Sequence, residues 1–323
     1  TEDTKFVRMF LDEARITVAL EHPNIVQVHD LGEAEGQYFI VLEYVDGMDL
    51  RRLMIACEEA GTTFPYKHIL FVVMEALKGL SYAHQARDRD GQPLAIVHRD
   101  ISPSNIMISR GGSVKLMDFG IAAAAIAKWD NDPGEILGKF RYFSPELVSG
   151  VQVSPQSDIF AIGAVLYELV TGDPLLLGAD FHAVKDELRA FDPEEAIDRD
   201  LSIPTPLEPV LLRALATDPA DRYESAEEFL GDLTDHVFED RIRISATDFA
   251  GFIADLEDIL SHLEEREVED MGEPPSLSLD LIDAPPDDDL SASRSLSLGD
   301  GRSRTEVLEW RFPRGTDATA FVP

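Results

Sequence analysis

Between Val97 and Asn105 the chain reads Val-His-Arg-Asp-Ile-Ser-Pro-Ser-Asn, and Asp118-Phe119-Gly120 begins thirteen residues after that asparagine. The residues between are Ile106 to Ser109, the pair Gly111-Gly112, and Val114 to Met117. These are two short β-forming runs around a tight turn. A hairpin here holds Asn105 and Asp118 on opposite edges of one cleft, so the stretch constrains tertiary as well as local structure. It also collects three groups that phosphoryl transfer from a nucleotide uses: a carboxylate, Asp100, to receive a hydroxyl proton, and an amide and a second carboxylate, Asn105 and Asp118, to hold Mg²⁺. An Arg-Asp pair alone is an ordinary solvated loop; the spaced set is specific.

The totals narrow the class. At 323 residues the chain can bury one large core or two modest lobes with length to spare. A net charge of −34, from 28 Lys+Arg against 62 Asp+Glu, opposes nucleic-acid binding, which needs a basic surface to release counterions. Cys57 is the sole cysteine, so there is neither a disulfide framework nor a thiolate metal cage, and a buried structural thiol is expected. No apolar run reaches the roughly 18 to 20 residues of a bilayer span. A soluble, cytoplasmic chain is the expectation.

Phe6, Val7, Phe10, Leu11, Ala14 and Val18 recur at helical spacing, and the helix should end before His22-Pro23-Asn24. Extended runs at 25–31 and 38–44 flank a turn-rich segment, a hairpin signal. Helices are expected over 50–59 and 68–85, then a loop over 86–93. The segment 128–138 reads as a surface loop. Residues 159–170 are almost all apolar, which argues a helix buried all round. Further helices are expected at 179–190, 207–216, 225–237 and 249–263, the last with its apolar face packed on the main domain. Beyond it acidic residues crowd Asp255 to Asp289 with Arg266 as the lone basic residue, and Pro, Ser, Asp and Gly dominate from Gly272 onward. Such a composition cannot offset its ordering entropy, so 270–323 is expected to be disordered.

Taken with their surroundings, these motifs resemble the eukaryotic-like serine/threonine protein kinases of bacteria, over about 1–240. The resemblance implies an α+β, bilobed fold: 1–45 as the remnant of a small β-containing lobe with its N-terminus truncated, 46–240 as a mainly helical large lobe, 241–269 as a helical extension, and 270–323 as an acidic, Ser-rich tail. It implies ATP and Mg²⁺ as cofactors and a protein substrate. Asp100 then resembles the catalytic base and Asn105 and Asp118 the Mg²⁺ ligands, with Phe119 and Gly120 completing the second motif. Glu13 resembles the glutamate that pairs with a phosphate-orienting lysine. Glu43-Tyr44-Val45 resembles the hinge that holds adenine, Asp49 the ribose contact, and Met107 the floor beneath the base. Ser144-Pro145-Glu146 resembles the end of an activation segment, Arg222 the buried partner of Glu146, and Asp158 the residue that accepts hydrogen bonds from the catalytic loop. Glu146, Arg222 and Asp158 weigh against small-molecule phosphotransferases, which lack this anchor.

Three departures stand out. No Gly-x-Gly-x-x-Gly or Val-Ala-x-Lys stands among the twelve residues before Glu13. A truncated kinase, slow or inactive in isolation, is therefore expected, with a pseudokinase that regulates a partner as the alternative. Ser102 stands where these kinases carry a lysine, and Lys139, in Gly-Lys-Phe-Arg-Tyr, is the candidate to supply the missing charge. Between Ile121 and Phe143 there is no Ser or Thr, so Arg99 would pair with Asp130, Asp132 or Glu135 rather than with a phosphothreonine, and the loop is not expected to be switched by Ser/Thr phosphorylation.

Overall fold

The computed structural model describes residues 18–34, 37–119, 139–178, 181–270 and 305–309. Glu13, Gly120 and the acidic candidates Asp130, Asp132 and Glu135 lie outside the described residues.

Strands β1 (Val28–Ala34) and β2 (Gln37–Glu43) form the antiparallel hairpin. Its small apolar cluster is built on Val28 and Ile40, with Leu31 and Leu42 packed against it. Three even shorter strands make a second sheet: β3 (Gly47–Asp49), β4 (Ile106–Ser109) and β5 (Val114–Leu116), in that order and antiparallel throughout. The two sheets are linked through the backbone before β1. Val26 N–H donates to Leu116 O (2.8 Å) and Leu116 N–H to Asn24 O (2.8 Å). The Asn24 amide adds bonds to Glu75 (2.8 Å) and to Val114 O (2.9 Å).

The larger region is helical. Asp49 caps α1 (Leu50–Glu59), its carboxylate accepting from Arg52 N–H at 2.8 Å, and Pro65 precedes α2 (Tyr66–Gln85). The short α3 (Pro145–Ser149) follows Ser144. Next comes α4 (Pro155–Thr171), which ends at Gly172 with φ 83°. Only a residue without Cβ adopts that conformation cheaply. Every residue from Ser157 to Leu169 is buried, so α4 is the axis of the lobe and its near-continuous apolar run is what full enclosure requires. Around it stand α5 (Phe181–Arg189), α6 (Pro193–Asp198), α7 (Glu208–Ala214) and α8 (Ala226–Glu239). Cys57 is buried, and burial with the Glu58 charge pushes its thiol up to about 11.

The last helix, α9 (Ala246–Asp270), starts earlier and runs longer than its apolar periodicity suggested. Phe249, Ile253 and Leu256 are buried, and Phe249 and Phe252 stack on Phe64 at 6.1 and 5.7 Å. Lys67 and Arg110 pin its charged side through Asp248 (2.5 Å) and Glu257 (3.1 Å). Gly112, at the β4–β5 turn, makes that approach possible: it sits at φ 78°, and a Cβ there would lie 2.1 Å from Ala246 O.

Within the segment expected to lack order, Thr305–Glu309 forms strand β6, antiparallel to β2, with Glu43 opposite Thr305 and Phe39 opposite Glu309. A strand edge with unpaired backbone groups accepts such an addition whatever its flanking composition. That pairing depends on β2, which tail composition does not encode.

Candidate active site

The loop between α2 and β4 is held from beneath. Asp158, in the first turn of α4 and 1% exposed, accepts His98 N–H at 2.7 Å and Arg99 N–H at 2.8 Å. A third bond comes from His84 Nε2 at 2.8 Å. Burial pushes this carboxyl up, but the His84 bond, the charges of His84 and His98 and the His98 N–H outweigh it, so it lies below its ordinary value. Arg99 takes φ 65°. A left-handed arginine is costly, and the two N–H bonds to Asp158 flank it and hold it there.

That turn delivers Asp100, 4% exposed. Its Oδ2 accepts from Asn105 Nδ2 at 2.8 Å and from Lys139 Nζ at 2.7 Å. Its Oδ1 is buried with no hydrogen-bond partner among the described residues. A buried carboxylate oxygen left unpaired is expensive, and it marks where an incoming donor belongs. Asn105 is fixed in turn. Its Nδ2 also donates to Asp100 O (2.7 Å), its N–H to Ser102 O (3.0 Å), and its carbonyl accepts Met117 N–H (3.0 Å).

The last of these bonds ties the end of the loop to the residue before Asp118. Asp118 has φ 60° and is half-buried. Burial raises its carboxyl to about 6; Lys139 opposes the shift and Asp100 adds to it. A carboxylate raised in this way is ready to be discharged by a cation. Its carboxylate oxygens and the Asn105 amide oxygen are donors of the hard type that Mg²⁺ takes. Phe119 is buried, its ring 4.4 Å from that of His98. His98 Nε2 meets Met117 O at 3.0 Å. Burial lowers the imidazole's pKa despite Asp158 and Asp100 nearby.

The positions assigned to the nucleotide fall along β2, β3 and β4. Glu43 ends β2; its carboxylate accepts from Lys115 Nζ (2.9 Å) and Gln27 N–H (3.1 Å), and its own N–H donates to Gln27 O (2.8 Å). The Tyr44-Val45 segment after it is half-buried. Asp49 and Met107 are cross-strand partners in the β3–β4 pair. Asp49 spends one oxygen on the α1 cap.

Beyond the loop, Glu146 meets Arg222 in a bidentate pair at 2.8 and 3.0 Å, both side chains buried. Arg222 spends its remaining donors on Ala216, Gln156 and Thr217 carbonyls, and Ser157 Oγ donates to Glu146 at 2.7 Å. A second anchor escaped the sequence reading. Tyr142 is 2% exposed; its hydroxyl donates to Glu168 and accepts from Arg51 Nη2 (2.6 Å), while Arg51 Nη1 donates to Glu168 (3.1 Å). One signal was present: Glu168 is an acid inside an otherwise apolar run, and a buried acid requires partners.

Comparison with known proteins agrees with this geometry. The Protein kinase domain family model matches residues 1–238. The tyrosine-protein kinase MasK of Myxococcus xanthus is 40% identical over 229 residues, 71% of this chain and 35% of that protein. The serine/threonine-protein kinase PrkC of Bacillus subtilis is 36% identical over 240 residues, 74% of this chain and 35% of that protein. The matched part therefore spans about a third of the length of these relatives. The crystal structure of the Mycobacterium tuberculosis PknI kinase domain superposes with a TM-score of 0.53 at 31% identity, covering 72% of this chain and 79% of that one. With the Asp100, Asn105 and Asp118 constellation on its Asp158 base, these similarities identify the chain as a member of the protein kinase domain family, in its eukaryotic-like bacterial branch.

Proposed function

We propose that the chain transfers the γ-phosphate of ATP to serine or threonine hydroxyls of protein substrates. The observation that carries this reading is the division of labour on Asp100: one oxygen is held by Asn105 and Lys139, the other is buried and makes no hydrogen bond among the described residues. The substrate hydroxyl gives its proton to Oδ1 as its oxygen attacks the γ-phosphorus, and the bond to the β-phosphate oxygen breaks to release ADP. Asn105 keeps the carboxylate from rotating. Asn105 and Asp118 would hold Mg²⁺, which when bound neutralises charge on the β- and γ-phosphates. Tyr44-Val45 with the Glu43 carbonyl would receive adenine, Asp49 the ribose and Met107 the underside of the base. Glu13 would pair with a phosphate-orienting lysine.

The Glu146–Arg222 anchor favours a protein substrate over a small molecule, because small-molecule phosphotransferases lack it. ATP as donor places the reaction in the cytoplasm, and no helix among the described residues is long and apolar enough to cross a membrane. The acidic surface disfavours nucleic acid as a partner. Incubating the full chain with radiolabelled Mg·ATP and a general protein acceptor tests this reading. Label on phosphoserine or phosphothreonine, lost in Asp100→Asn with the melting temperature kept, is the expected result. Label confined to phosphotyrosine would move the specificity to the kind that MasK's name states, and label surviving Asp100→Asn would remove Asp100 as the base.

A further inference from the structure

The catalytic loop Val97–Asn105 contains no lysine. Ser102, two residues past the base, is 2% exposed, and its hydroxyl has no hydrogen-bond partner among the described residues. The positive charge that touches Asp100 arrives instead from 39 residues along the chain, as Lys139 Nζ at 2.7 Å from Oδ2. Its side chain is 40% exposed, which leaves the ammonium room to pivot.

Lys139 opens a single turn, Lys139–Tyr142, and the rest of that turn is fastened to the large lobe. Phe140 is buried against Phe143 and Phe181, with ring centroids 5.6 and 5.0 Å apart. Tyr142 is tied to Glu168 on α4 and to Arg51 on α1. A flexible cation on a rigid pedestal is thus aimed at the base from across the cleft.

We propose that Lys139 is the catalytic cation of this chain, contacting the γ-phosphoryl oxygens during transfer, with the Arg51–Tyr142–Glu168 cluster as its positioning anchor. The proposal rests on the kinase reading above. Before transfer Nζ neutralises Asp100 Oδ2, which keeps Oδ1 as the proton acceptor. As the substrate O–P bond forms and the bond to the β-phosphate oxygen breaks, negative charge spreads over the γ-phosphoryl oxygens, and the ammonium stabilises it. The consequence is conditional catalysis. Displacing the 139–142 turn removes the charge while Asp100, Asn105 and Asp118 stay in place.

The test exchanges the two positions in the full chain. Lys139→Thr should lower kcat on the order of 10²-fold, with the KM for the protein acceptor unchanged, and should reduce the preference for Mg·ATP over Mg·ADP measured by calorimetry. Adding Ser102→Lys in that background should restore kcat at least about tenfold, because it returns the charge from the loop side. Tyr142→Phe should slow the wild type yet have no further effect in the Ser102→Lys/Lys139→Thr chain. Wild-type kcat in Lys139→Thr, or a loss that Ser102→Lys does not repair while the melting temperature holds, overturns the proposal. A wild-type chain that neither binds Mg·ATP nor transfers phosphate overturns the kinase reading itself, a result distinct from an active wild type that does not need Lys139.

Discussion

Replacing Glu146 by leucine leaves Arg222 as a guanidinium that is 2% exposed and short of the two bonds, at 2.8 and 3.0 Å, that balanced its charge. Its three carbonyl partners remain, but carbonyls do not neutralise a cation. Breaking one side of such a pair costs about 3–5 kcal/mol. For a domain of this size each kcal/mol moves the midpoint by about 2–4 °C, so a drop of about 6–20 °C is expected. Urea unfolding followed by far-UV circular dichroism measures the free-energy loss, and thermal unfolding the drop in midpoint. The control is the double variant Glu146→Leu/Arg222→Met, which removes both charges and should recover most of the loss, since an apolar pair of similar volume is close to neutral in such sites. The pH dependence provides a second check. Burial pushes Glu146 up, but the bonds from Arg222 and Ser157 and the Arg222 charge hold it below its ordinary value of 4.5. A carboxyl lowered in the folded state stabilises fully above about pH 4.5 and loses that contribution as pH falls through the folded value. The wild type should therefore lose more stability between pH 5 and pH 3 than the double variant does. A single variant costing under about 1 kcal/mol, or a double variant costing the sum of the singles, would refute the reasoning.

Two further substitutions probe the scaffold. Asp158→Asn replaces a carboxylate that accepts three bonds with an amide that has one acceptor oxygen, so at least one of the His98 and Arg99 N–H groups loses its partner. kcat should fall at least about tenfold, and hydrogen exchange at His98 and Arg99 should accelerate; unchanged protection there would remove Asp158 as the support of the loop. Gly112→Ala places a Cβ 2.1 Å from Ala246 O at φ 78°, a strain of about 1–3 kcal/mol. It should loosen α9 selectively, read as faster exchange over 246–262 with little change in α4, and uniform exchange across the two helices would contradict it.

Where an element's own residues decide its form, reading the sequence was enough. The helix at Leu50–Glu59 lies where its periodicity put it, and the enclosed α4 follows from an apolar run too short for a membrane and too continuous for a surface helix. The hairpin carrying Asn105 and Asp118 was legible because a Gly-Gly turn between two β-forming runs leaves few alternatives. Some errors fell at element ends: α2 and α4 begin two and four residues earlier than their apolar patterns, because first-turn residues after Pro65 and Ser154 carry helix without carrying periodicity; others were whole elements, α3, α6 and β6.

The site divides along the same line. Asp100, Asn105 and Asp118 were picked out by a motif that resembles the kinase family's and lies within nineteen consecutive residues around one hairpin, and the chemistry they suit is what that resemblance implies. What surrounds them was decided by the fold. Lys139 reaches Asp100 across 39 residues, His84 reaches Asp158 across 74, and Arg51 meets Tyr142 across 91. Period and propensity describe which face of an element is buried and are silent on which partner buries it. A local pattern thus marked the candidate proton acceptor and metal ligands, and a departure from the family pattern pointed to Lys139; only the packing of α1, α4 and the 139–142 turn decided that its ammonium meets Asp100 Oδ2.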